Sequence, residues 1–197
     1  MSLKKAILVI FLILLADQII KIYIKTNFVY GEELVIFSWF KLQFIENKGM
    51  AWGVQIPGEY GKLILTVFRL FAIAGIGYWL WDSARKHAPG VLLFSIALIF
   101  AGAFGNIIDS VFYGLIFEES GSQVAQIFPE EGGYGELFHG KVVDMFKFSF
   151  FSPIFNLADF AISVGVGIII VFNRKAFPKK KKTEEIQETE VVSEVEN

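Results

Sequence analysis

Five aspartates occur in 197 residues, and three of them sit where carboxylates are rarely tolerated. Asp17, Asp109 and Asp159 fall inside stretches apolar enough to be membrane helices, Asp144 lies just before the last such stretch, and Asp82 falls at an ordinary polar helix end. A charged group at mid-membrane costs about 2.5–3.5 kcal/mol on insertion scales, so these positions point to function or to tight pairing. Two aspartates sharing one site hold a proton between them, because both cannot readily ionise at close range. One carboxylate can then take a proton from water while the other donates to a carbonyl oxygen, which is peptide hydrolysis without a covalent intermediate. Such chemistry needs no metal and no cofactor, and none is expected. The chain has no cysteine, which removes thiol nucleophiles, disulfides, zinc-thiolate sites and iron–sulfur clusters. His87 and His139 stand far apart and outside the apolar stretches, so a Ser–His or His–zinc protease is hard to build.

The elements that must position these carboxylates follow from composition. Apolar residues make up 54% of the chain, charged residues only 19%, and 22 phenylalanines are present, which leaves too little polar surface for a water-soluble domain. Four apolar stretches, about 6–23, 63–81, 91–113 and 154–172, are each long enough to span a bilayer. The expected fold class is an α-helical polytopic membrane protein, with four transmembrane helices and a small extracytoplasmic β-sheet. The first stretch follows Lys4 and Lys5 as a signal peptide would, but Asp17 and Lys21 interrupt it and no small-residue cleavage site follows, so it is read as retained. Lysine and arginine gather before the first stretch, between the second and third, and after the fourth, which predicts cytoplasmic termini. The outer segments are then about 25–62 and 114–152. Alternating side chains over 39–46 and 142–150 predict two strands on the membrane surface. Residues 1–177 read as one membrane domain, and 178–197, with a lysine block followed by six glutamates, as a charged, unstructured tail. The lysine block suits anionic membrane lipid.

With this topology Asp17, Asp109 and Asp159 converge near the outer leaflet, where the strand carrying Asp144 also arrives. Asp17 and Lys21 are four residues apart on one helix face, a spacing that fits a local ion pair as well as a site-holding pair. The small residues over 101–105 are the signature of close helix packing. A proton-coupled transporter is the rival class, but the inner parts of helices three and four (VLLFSIALIF and SVGVGIIIVF) contain no ionisable residue to relay protons.

Five pieces in order, DQIIK (17–21), NKGMAWG (47–53), GAFGNIID (102–109), VVDMF (142–146) and FNLAD (155–159), resemble the type II, or lipoprotein, signal peptidases. These are polytopic aspartic endopeptidases of the bacterial cytoplasmic (inner) membrane. The resemblance implies cleavage of diacylglyceryl-modified prolipoproteins on the amino side of the lipidated cysteine, and inhibition by globomycin-type antibiotics. Carried over by position, it makes Asp144 and Asp159 the catalytic pair. It also assigns Asp17, Lys21, Asn47, Gly49, Asn106, Asp109, Asn156 and Ala158 to holding or shaping the site. Partners are then the lipid-modified prolipoprotein and membrane lipids, with no nucleic acid. Two departures stand out. Ser110 occupies a position where the family pattern has arginine, and Arg69, deep in the second apolar stretch, is expected to supply that charge. The connection from Ser110 to Lys141 is long and acidic, and is expected to form an extra surface flap.

Overall fold

The computed structural model describes residues 1–47 and 61–178. Twenty-five residues without proline or glycine form helix α1, Leu3–Asn27, whose start is capped by the Ser2 hydroxyl accepting from the Lys5 amide. Helices α2, Gly61–Arg85, and α3, Gly90–Ile116, are of similar length, and α3 begins directly after Pro89. Helix α4, Leu157–Val171, is followed by a single turn, α5, Asn173–Ala176. Among the described residues, Leu3–Asn27 and Gly90–Ile116 are long and apolar enough to cross a membrane. Helix α1 is inverted relative to a soluble helix: Ile7, Leu8, Phe11, Leu12 and Ile19 are exposed, while Asp17, Lys21 and Lys25 are buried. A hydrocarbon surrounding accounts for that inversion, because isoleucine and phenylalanine on the outside are stable in lipid and costly in water.

The polar part is a four-stranded antiparallel sheet in the order β1-β2-β3-β4. Strands β1, Glu33–Phe37, and β2, Phe40–Asn47, form one hairpin; β3, Val142–Phe148, and β4, Phe151–Phe155, form the other. The predicted strands 39–46 and 142–150 are therefore present as β2 and β3. Strands β1 and β4 are additions. Both carry weak signals: ELVIF is a short apolar run without alternation, and FSPIF contains Pro153, which an edge strand tolerates because one of its sides needs no donor. Strand β4 also corrects the fourth predicted span: Ile154 and Phe155 extend along β3, so α4 starts at Leu157 and is 15 residues long, short of the roughly 20 that a perpendicular crossing needs.

A register shift between Leu42 and Ile45 places Ile45 opposite Asp144 and Asn47 opposite Val142. Cross-strand partners share a face, so this bulge brings Asn47 to the same side of the sheet as Asp144. Helices α3 and α4 approach closely at small residues, in accord with the packing reading of 101–105. A Cβ on Gly102 would strike the Ala158 carbonyl oxygen, and one on Gly105 would lie 2.7 Å from Asp17 Oδ2. One apolar cluster, including Ala6, Leu93, Ile96 and Ala176, lies toward the termini; another, including Ile24, Phe44, Tyr113, Val143 and Met145, joins α1 and α3 to the sheet. The polar network described next lies between them.

Candidate active site

Helix α1 contributes Asp17 and Lys21, which form the i, i+4 pair that their spacing allows, at 2.9 Å. The pair is not merely local. The Lys21 ammonium also binds Asp109 of α3 at 2.9 Å, and all three side chains are essentially without solvent exposure. An ammonium has three hydrogens, and Lys21 places the third on Asn106 Oδ1 at 2.9 Å. Asp17 Oδ1 accepts the Ala158 amide at 2.9 Å, so a carboxylate on α1 satisfies one of the orphan N–H groups in the first turn of α4. Ala158 is thus held by its backbone, and its small side chain lets Gly105 approach. Asp109 Oδ2 accepts from the Val143 amide at 3.3 Å, which ties α3 to β3.

Two asparagines carry this arrangement to the other carboxylates. Because Lys21 can only donate, Asn106 must turn Oδ1 toward it, and Nδ2 then donates to Asp159 Oδ1 at 2.8 Å. Asn156 is the N-cap of α4 and part of a capping box: its Oδ1 accepts the Asp159 amide at 2.9 Å, and its own amide donates to Asp159 Oδ2 at 3.4 Å. With Oδ1 committed, Asn156 Nδ2 donates to Asp144 Oδ1 at 2.6 Å and also faces Asn106 Oδ1 at 3.1 Å and the Val143 carbonyl at 3.3 Å. Asp144 and Asp159 therefore each receive an N–H from an amide whose orientation is set by its other partners.

Charge separates the four carboxylates into two pairs. Asp17 and Asp109 share an ammonium, whereas among the described residues Asp144 and Asp159 form no ion pair. Burial, reinforced by the negative charge of Asp159, pushes the Asp144 carboxyl up from its ordinary 3.8 to about 8. At neutral pH this arrangement holds one proton on Asp144.

Of the remaining expected site residues, Asn47 ends β2 on the face of Asp144, and Gly49 lies outside the described residues, as does most of NKGMAWG. Arg69 reaches Ser110 rather than Asp109, with Nη1 donating to Oγ at 3.4 Å, and the carboxylates its charge acts on are Asp159 and then Asp144. Asp109 takes its positive partner from Lys21 instead. Two members of the network were not singled out by sequence. Gln18 donates to Asp109 Oδ1 at 3.0 Å and to Asp17 Oδ2 at 3.2 Å, and Tyr113 donates its hydroxyl to Gln18 Oε1 at 3.1 Å. The signal was present: Gln18 is a polar residue in an apolar helix, and Tyr113 follows Asp109 by one helical turn. Among the described residues, no group of three or more histidine, aspartate or glutamate side chains is placed to hold a metal ion.

Residues 9–174 match the family described as signal peptidase (SPase) II, the Peptidase_A8 family. A lipoprotein signal peptidase of Porphyromonas gingivalis is 42% identical over 182 residues, covering 82% of this chain and 79% of that one. One of Amoebophilus asiaticus is 30% identical over 201 residues, covering 89% and 81%. A bacterial membrane enzyme solved by the in meso method at 2.3 Å resolution aligns with a TM-score of 0.65 at 25% identity, covering 91% of this chain and 94% of its own. With a family match over most of its length and a network of four carboxylates, three of them buried and Asp159 partly so, this chain belongs to the signal peptidase II family, membrane aspartic peptidases of lipoprotein processing.

Proposed function

We propose that this protein removes the signal peptide from diacylglyceryl-modified prolipoproteins by cutting before the lipidated cysteine, with Asp144 and Asp159 activating water. The observation that carries the reading is the division of charge: Asp17 and Asp109 share the Lys21 ammonium, while Asp144 and Asp159 are held by neutral amides and, among the described residues, form no ion pair. Asp159 takes a proton from water as the oxygen attacks the scissile carbonyl carbon, and protonated Asp144 gives its proton to the carbonyl oxygen. The gem-diol then collapses: Asp144 recovers a proton from a hydroxyl, Asp159 passes its proton to the cysteine nitrogen, and the C–N bond breaks. Asn106 and Asn156 orient the two carboxyls; Asp17, Lys21, Asp109 and Ala158 hold the helix termini that present them. Asn47 borders the site from the β2 side, and Gly49 is assigned to it by the family motif alone.

In this reading residues 1–177 form one domain with four membrane crossings, and α4 completes its crossing through Phe172 and α5. Both termini are cytoplasmic, the bacterial inner membrane is the location, and the carboxylate pair lies near the outer leaflet, where a lipid-anchored substrate presents its cleavage site. Membrane lipids surround the exposed apolar helix faces, and globomycin-type inhibitors occupy the site. Arg69, through Ser110, supplies positive charge beside Asp159 and Asp144. Arg69→Ala is expected to lower kcat/KM by ~10-fold, the scale of a charge-assisted hydrogen bond, with the chain still folded. Unchanged cleavage by the folded variant removes Arg69 from the site.

The test is cleavage of a diacylglyceryl-modified prolipoprotein by the purified protein in detergent, followed against pH. Because Asp144 must carry its proton to act as the acid, activity is present below its raised value and is lost as pH rises through it, so kcat/KM is expected to fall above about 8. Activity that stays level to pH 10 contradicts the acid role of Asp144. No cleavage of several such substrates by the wild-type protein contradicts the function.

A further inference from the structure

Asp17, Lys21 and Lys25 follow one another at four-residue steps along the buried face of α1. The first two belong to the network just described, and Lys25 does not. Its ammonium, without solvent exposure, pairs with Glu46 of β2 and donates to Ser120 Oγ at 2.7 Å. The rings of Phe44, Phe117 and Tyr134 surround it at 6.0, 5.4 and 5.1 Å to their centroids. Glu46 has a second cation on its other oxygen, Lys141 at 3.2 Å, which also binds Glu119 at 2.7 Å and lies 4.9 Å from the Tyr134 ring. Ser120, Tyr134, Glu119 and Lys141 all belong to the long connection between α3 and β3. That connection is tied down: the Tyr134 hydroxyl accepts the Lys141 amide at 2.6 Å, and Phe138 and Gly140 donate their amides back to Val111 and Ser110 of α3.

This second polar cluster touches the strands that carry the site. Glu46 pairs across the ladder with Val143, and its neighbour Ile45 pairs with Asp144; Lys141 directly precedes β3. We infer that Lys25, Glu46 and Lys141 form an ionic clasp that fixes β2 and β3 in register through the 117–141 segment, so that they are positioning residues for Asp144. The inference rests on the proposed role of Asp144. Its physical basis is that a carboxylate shared by two lysines in an aromatic enclosure has one low-energy arrangement. Removing either cation lets Glu46 move, and β3 moves with it. A displacement of ~1 Å at a reacting group is enough for about a 100-fold loss of rate.

The experiment measures kcat and KM of full-length Lys25→Met and Lys141→Gln on the lipid-modified prolipoprotein in detergent, per folded molecule, with thermal unfolding recorded alongside. Lys141→Arg keeps the cation at the half-open edge of the clasp and serves as the conservative replacement. The expected result is a fall in kcat of ~10-fold or more with KM within about twofold, for Lys25→Met and Lys141→Gln, with most of the loss recovered in Lys141→Arg. Wild-type kcat per folded molecule in both variants overturns the clasp, including the case in which total activity falls only because less of the protein is folded. A rise in KM alone also overturns it, and assigns the segment to substrate binding. Asp144→Asn with undiminished cleavage is a different failure, that of the proposed function itself.

Discussion

Asp144→Asn and Asp159→Asn are each expected to lower kcat by ~1,000-fold or more while leaving the protein folded, because general acid and general base chemistry each contribute on that order. Asparagine preserves size and can still meet the N–H groups of Asn156 and Asn106 through its carbonyl oxygen, so the two replacements test proton transfer more than packing. They differ in their effect on stability. In the folded protein Asp144 keeps its proton up to about 8, whereas an unfolded carboxyl releases it near 3.8, so unfolding releases a proton between those values and wild-type stability falls as pH rises across that window. The Asp144→Asn protein lacks this loss and is expected to unfold at a higher temperature than wild type at pH 9, with a smaller difference at pH 4. Comparison of kcat with thermal unfolding at both pH values checks the two statements separately. Cleavage at near wild-type rate by either folded variant removes that residue from catalysis.

The largest expected loss of stability is at Lys21. Lys21→Met leaves the Asp17 and Asp109 carboxylates buried, close together and without a cation, and removal of one partner from a buried ion pair typically costs about 3–5 kcal/mol. It also frees Asn106, whose amide is oriented by the ammonium, so that Oδ1 can turn toward Asp159 and repel it. Both stability and kcat should therefore fall. Adding Asp109→Asn to Lys21→Met removes one of the stranded charges and is expected to recover part of the stability but little activity, because the Asn106 orientation is still unset. An unfolding midpoint for Lys21→Met equal to wild type would show that the triad contributes nothing to holding the helices together.

Much of the fold was legible. Two of the expected spans, α1 and α3, stand out as long and apolar enough to cross a membrane because hydrocarbon imposes a simple demand on composition, and strands β2 and β3 show through their alternation. Strands β1 and β4 do not, because each is defined by a partner: Glu33–Phe37 is exposed along its length, and Phe151–Phe155 was absorbed into the apolar approach to α4. The start of α4 was misplaced for the same reason. A run of apolar residues has the same composition in a strand as in a helix, and only the capping box at Asn156 marks the change.

The candidate site was legible in part. An intramembrane carboxylate is conspicuous by itself, so Asp17, Asp109 and Asp159 are visible from the sequence, and the family motifs add Asp144, Asn106 and Asn156. Gln18 and Tyr113 were passed over because each is unremarkable until Asp109 lies beside it. Lys25 and Glu46, 21 residues apart and on different elements, carry no local signal of their pairing.

What the sequence by itself determined is the inventory: four carboxylates in or beside apolar helices, no cysteine, and too few polar residues for a life in water. What only the tertiary structure decided is how these charges are divided. Composition leaves every pairing of the four aspartates open, and the α1–α3 contact gives Lys21 to Asp17 and Asp109, while the α3–α4 and β3–α4 contacts give Asp159 and Asp144 to Asn106 and Asn156. The physical reason is that the state of a buried carboxyl depends on what surrounds it within a few ångströms, and those neighbours come from elements separated by long stretches of chain.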